Sequence, residues 1–121
     1  MGFRELIKKV QDYSGFSDSE SKDALEMMVE SLAVHLTEGE RQDFASQLPT
    51  ELQDIALSVY PTDMHARQDI IEQFMDNQHI DEGRAKKQIH AAWEALKDAI
   101  SPGEIDDIRA QLPNKTVEML N

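Results

Sequence analysis

The chain repeats itself. Gly39-Glu40, Asp43 and Gln47-Leu48-Pro49 recur as Gly103-Glu104, Asp107 and Gln111-Leu112-Pro113, every position displaced by 64. Carried upstream without a gap, the same offset pairs Leu32 with Leu96, Leu25 with Ile89, Phe16 with Ile80, Val10 with Phe74 and Ile7 with Ile71. The repeat sets residues 1–57 against 65–121 and leaves 58–64 as a joint. Such self-similarity constrains the fold strongly, because each copy must build the same local structure and bury its apolar face against a neighbour.

Each copy reads as four helices. In the first, Phe3, Leu6, Ile7 and Val10 recur at spacings of three and four, and Tyr13-Ser14-Gly15 breaks the run. Ser17 with Glu20 and Thr37 with Glu40 are capping boxes, in which the hydroxyl accepts from a free backbone N–H and the Glu reaches back. The helix between them carries Leu25, Met28, Val29, Leu32 and Leu36 on one face. Phe44 and Leu48 continue a short third helix. Pro49 ends it and opens a fourth as its first residue, with Leu52, Ile55, Ala56 and Val59 inward. The second copy repeats this plan. Ile70, Ile71, Phe74 and Met75 form its first face, and Asp81 caps a helix burying Ile89, Ala92, Trp93, Leu96 and Ile100. Ser101-Pro102-Gly103-Glu104 starts the third helix, with Ile105, Ile108 and Leu112 inward, and Val117 and Leu120 mark the last. No segment sustains strand alternation. The predicted fold is all-α: two tandem four-helix repeats packed with pseudo-twofold symmetry around a shared core. Copies of 57 residues are marginal alone, which argues for one compact domain.

The Gly-Glu, Asp, Gln-Leu-Pro pattern at 39–49 and again at 103–113 resembles the bacterial family known as domain of unknown function 2267. The resemblance covers nearly the whole chain. It implies an all-helical fold and a bacterial, cytoplasmic protein, and it carries no activity, ligand or catalytic residue. The copies differ in places. Gly15 is matched by His79, Val29 by Trp93 and Glu38 by Pro102, which argues against strict symmetry.

Charge narrows the function. The 121 residues hold 24 Asp and Glu against 12 Lys and Arg, for a net charge of −12. Phosphate recognition draws most of its affinity from Lys and Arg, so nucleic acid is not an expected partner. A basic partner is favoured if charge guides one at all. Without Cys there are no disulfides, thiolate zinc sites or thiol nucleophiles, which fits a reducing cytoplasm. The start shows no long apolar run of a secretory leader, and Leu6 stands where a myristoylation motif wants Ser or Thr. No stretch approaches the roughly 18 apolar residues of a membrane span.

Candidate functional residues are few. His35, His65, His79 and His90 are scattered, and the one-turn pairs His90/Glu94 and His65/Asp69 fall short of the ligands a zinc site needs. No loop has the spacing of an EF-hand, and no phosphate-cradling Gly loop or serine elbow occurs. Asp43 and Asp107 read as helix-start charges, and Trp93 and Met28 as core. No catalytic residue, metal ligand or cofactor is therefore expected. The candidate partner contacts are Gln47 and Gln111, repeated and polar; Met27, which lies off the apolar stripe; and Arg84, Lys86 and Lys87, the densest basic cluster. The expected function is a non-catalytic interaction module that binds another protein or itself. The alternative is a small-ligand-binding or metal-dependent enzyme with a pocket between the repeats. A dry apolar interface favours the module, and convergent carboxylates and His favour the enzyme.

Overall fold

Capping side chains decide where most helices begin. The computed structural model describes residues 1–60 and 69–120, among which there are eight helices and no strand. They are α1 (Phe3–Ser14), α2 (Asp18–Ala33), α3 (Glu38–Ser46), α4 (Thr50–Leu57), α5 (Ile70–Gln78), α6 (Glu82–Ala99), α7 (Pro102–Gln111) and α8 (Asn114–Leu120). The all-helical class expected from periodicity is what the chain adopts. The starts of α2, α3 and α4 at 18, 38 and 50 fall 64 residues before those of α6, α7 and α8 at 82, 102 and 114. The joint beyond residue 60, and His65 with it, lies outside the described residues.

Ser17 Oγ accepts from the Glu20 N–H at 3.1 Å, Thr37 Oγ1 from Glu40 at 3.3 Å, Asp81 Oδ1 from Arg84 at 2.7 Å and Ser101 Oγ from Glu104 at 3.2 Å. Each such cap is worth about 1 kcal/mol. Asp69 adds a fifth at 2.8 Å on Glu72, a cap the sequence reading did not pick out. Pro49 is itself the cap residue of α4, with helical geometry starting at Thr50, rather than the first helical residue. Pro102 does hold the first position of α7. The other half of each capping box is missing, because Glu20, Glu40 and Glu104 turn their carboxylates elsewhere.

At the other end of α1 and α5, Gly15 and His79 both adopt the left-handed conformation, with φ of 75° and 54°. The glycine takes it freely, whereas His79 bears the Cβ clash that makes this region unfavourable for a side chain. The bend is therefore kept in the second half of the chain without the residue suited to it.

The long helices α2 and α6 pack against one another, α1 lies along α6, and α3 meets α7. Leu6, Val10, Leu25 and Leu32 join Phe74, Ile89, Trp93 and Leu96 in one continuous apolar cluster. Each fully buried large side chain contributes roughly 1.5–3 kcal/mol of transfer free energy. Trp93, Met28 and Val29 sit in this core, as their positions on the apolar stripes require. No helix among the described residues is long and apolar enough to cross a membrane.

Candidate functional site

The contact between α3 and α7 explains why Gln-Leu-Pro occurs twice. Gln47 Oε1 accepts from the Ser101 N–H at 2.7 Å, and Gln111 Oε1 accepts from the Thr37 N–H at 2.9 Å. Each glutamine closes the start of the helix that carries the other. These N–H groups are the ones a capping-box Glu would otherwise engage. With both taken, Glu40 and Glu104 are left facing each other across the contact.

One carboxylate oxygen from each of Glu40, Asp43 and Glu104 lies within 4.8 Å of the others. Glu104 is only 6% exposed. Its Oε1 and that of Glu40 are buried without a hydrogen-bond partner among the described residues. Burial pushes the Glu104 carboxyl up to about 8, helped by Glu40, Asp43 and Asp107. A proton held by Glu104 gives the facing Glu40 oxygen a donor, so the two behave as one acid–carboxylate pair. The sequence reading assigned these residues to caps and missed the convergence. The signal was the exact recurrence of Gly-Glu and Asp, but local capping chemistry accounted for it.

A second feature opens between α2 and α5. A cleft of about 270 Å³ has buried Ser31 and Val34 and half-buried Met27 on one helix, with Gln73, Asp76 and Asn77 on the other. Asn77 Nδ2 lies 2.8 Å from Met27 Sδ. A neighbouring cleft of about 500 Å³ shares Met27, Glu30 and Asn77 and adds Asp23, Glu26 and Ile55. The Ser31 hydroxyl is buried with no partner among the described residues.

Three positions set this pairing apart from that of α1 with α6. Where α1 lies along α6, Lys9 Nζ donates to Asp98 Oδ2 at 3.0 Å and the Tyr13 hydroxyl donates to the same oxygen at 3.1 Å. Displaced by 64, Lys9, Tyr13 and Asp98 correspond to Gln73, Asn77 and Val34, all of which line the cleft. Val34 offers no carboxylate, so the clamp has no counterpart here, and these positions line a cleft instead. What remains is a cleft in which Met27 and Val34 lie beside the polar Ser31, Gln73 and Asn77, with acidic edges at Asp23, Glu26, Glu30 and Asp76.

The basic cluster disperses. Arg84 forms a two-pronged ion pair with Glu20, its Nε donating at 2.6 Å, and stacks 4.4 Å from the Phe16 ring centre. The Arg84 guanidinium holds the Glu20 carboxyl below its ordinary range, with further help from the Gln88 amide at 3.0 Å. Lys86 is exposed and pairs with Glu82 at 3.7 Å, and Lys87 reaches to 6.0 Å from Phe16. Met27 lies in the cleft, Gln47 and Gln111 lie at the α3–α7 contact, and the three basic residues lie at the start of α6. His90 Nε2 sits 3.1 Å from the Met119 carbonyl oxygen, away from the carboxylate cluster.

The model of a family described as "Uncharacterized conserved protein (DUF2267)" matches residues 3–119. No curated protein matches the sequence.

Proposed function

Because the chain belongs to the DUF2267 family, whose description assigns no activity, we propose from the geometry that it is a non-catalytic protein–protein interaction module. The groove between α2 and α5 is its docking surface, and a basic, amphipathic segment of a partner protein is its occupant. The observation that carries this reading is the open counterpart of the Lys9–Tyr13–Asp98 clamp: a Met- and Val-floored cleft edged by Asp23, Glu26, Glu30 and Asp76. Methionine adapts to varied apolar anchors, and the acidic edges select basic flanks.

The test is fluorescence polarisation with a labelled amphipathic peptide bearing Lys and Arg beside Leu anchors. The peptide is expected to bind, and binding is expected to weaken as salt screens the edges. Met27→Glu is expected to lower affinity at least about tenfold while leaving the circular dichroism melt unchanged, a loss of the size produced by truncating a central anchor. Equal binding of an acidic peptide of the same pattern, or indifference to Met27→Glu, would sink the proposal.

Within the same proposal the chain is two tandem four-helix repeats, 1–57 and 65–121, related by a pseudo-twofold axis. Support comes from the 64-residue offset of the helix starts, from the reciprocal Gln47 and Gln111 bonds, and from two contacts between residues 64 apart, Glu20 with Arg84 and Glu40 with Glu104. In a two-fold contact, equivalent positions meet on the axis. A bacterial, cytoplasmic setting rests on the family resemblance, and the net charge of −12 supports a partner other than nucleic acid. The second reading, a metal-dependent enzyme with its site between the repeats, draws support from the convergence of Glu40, Asp43 and Glu104.

A further inference from the structure

We propose that Glu40, Asp43 and Glu104 form a binding site for a hard divalent cation of the Ca²⁺ or Mn²⁺ type at the contact between α3 and α7. The ligand set is all carboxylate, with no nitrogen or sulfur, which suits Ca²⁺, Mg²⁺ or Mn²⁺ and disfavours softer metals. The spacing fits. A cation with oxygens at about 2.4 Å holds opposite ligands about 4.8 Å apart. The three carboxylate oxygens lie within 4.8 Å of one another, so small side-chain rotations draw all three onto one ion.

Proximity of acids alone would carry nothing, but two further observations point to a ligand. Glu104 is more than nine-tenths buried and directs into the cluster an oxygen with no donor among the described residues, and the buried Glu40 oxygen that faces it has only the Glu104 carboxyl to bond. Unsatisfied buried carboxylate oxygens are costly, and a cation or a shared proton relieves the cost. The fold also keeps these carboxylates from an easier partner. The Thr37 and Ser101 N–H groups, within local reach of Glu40 and Glu104, are occupied by Gln111 and Gln47. The contact between Glu20 and Arg84 sharpens the contrast. That pair also lies 64 residues apart, and there one partner is a cation-bearing side chain. At Glu40 and Glu104 both partners are acids, and the positive charge must come from outside the chain.

The groups facing Glu104 are Glu40 and Asp43 on α3 and Asp107 on its own helix, all acidic, so each adds to the attraction for a cation.

The experiment is isothermal titration of the full chain with MnCl₂ and with CaCl₂, beside thermal melts with and without each ion. Saturable heat and an ion-induced rise in melting temperature are expected. Glu104→Gln, near-isosteric and neutral, is expected to abolish the ion-induced rise in melting temperature. Asp43→Asn, at an exposed position, is expected to weaken binding about tenfold or more while leaving the metal-free melt unchanged. Two outcomes overturn the proposal: no heat and no melting shift at millimolar ion, or binding that survives both substitutions. Together with pH-dependent stability, the first of these would mean that a shared proton alone occupies the pair.

Discussion

Glu104 holds a proton in the folded chain across an interval where an ordinary glutamate has lost it, from 4.5 up to about 8. The folded state then binds more protons than the unfolded state, so stability falls as the pH rises through that interval. Glu20 and Asp98 act in the opposite sense. Arg84 and Lys9 hold them below their ordinary values of 4.5 and 3.8, so their contribution is present above those values and is lost as the pH falls below them. The two effects bracket a stability maximum on the acid side of neutrality. Glu104→Gln is expected to flatten the alkaline limb, raising the unfolding free energy at pH 8 by an amount on the order of 1–3 kcal/mol and changing little at pH 5. Urea titrations of both proteins across this range check it, and a variant as pH-sensitive as the parent refutes it. At this scale the sequence was legible in part. Ser17, Thr37, Asp81 and Ser101 were readable as caps because capping is local, spanning three residues. The fate of the boxed Glu side chains was not, because their competitors Gln111 and Gln47 arrive from 74 and 54 residues away.

Helix ends and helix pairs respond to these same long-range bonds. Removing Gln47 leaves the Ser101 N–H without its acceptor, which costs about 0.5–2 kcal/mol at a helix start. It also lets Glu104 turn back and close its own box, drawing the carboxylate out of the crowded contact. Gln47→Ala is therefore expected to lose about 1 kcal/mol at pH 5 and less at pH 8, where relief of Glu104 offsets the lost bond. Denaturation at the two pH values tests this, and an equal or larger loss at pH 8 contradicts it. Helix pairing was the least legible part of the fold. An internal repeat predicts that α5 should lie on α2 as α1 lies on α6. Instead α1 is clamped through Asp98 while Val34 offers α5 nothing to bind, so one pairing is tight and the other leaves a cleft. Nothing in the periodicity distinguishes the two, since Gln73, Asn77 and Val34 each fit a helix face. The difference is legible only when the three substitutions are read together: the acceptor Asp98 is replaced by Val34, and the donors Lys9 and Tyr13 by the shorter amides Gln73 and Asn77.

Over the whole molecule, the apolar stripes of the two halves are incomplete without each other. Leu6 and Val10 on α1 are fully buried in the same core as Ile89, Trp93 and Leu96 on α6, and α2 is covered in part by α6. A chain of residues 1–60 would expose those faces, the Gln47 acceptor and the Glu40 carboxylate together. A unit of about 60 residues buries too small a fraction of its surface to absorb that loss. Expressed alone, residues 1–60 are expected either to lack a cooperative thermal transition or to self-associate, one copy standing in for the missing half. Mixing with residues 65–121 is expected to restore the transition. Self-association and rescue share one cause: Glu40 meets the position equivalent to its own and Gln47 meets the equivalent of Thr37, so a second copy of the first half presents Thr37 where Ser101 was and Glu40 where Glu104 was. Sedimentation velocity with a circular dichroism melt decides the matter. A monomeric fragment that melts cooperatively would show that each half owns its core. The long helices would then be joined by an interface between domains, and the Glu40–Glu104 contact would lie in that interface instead of in a core common to both halves.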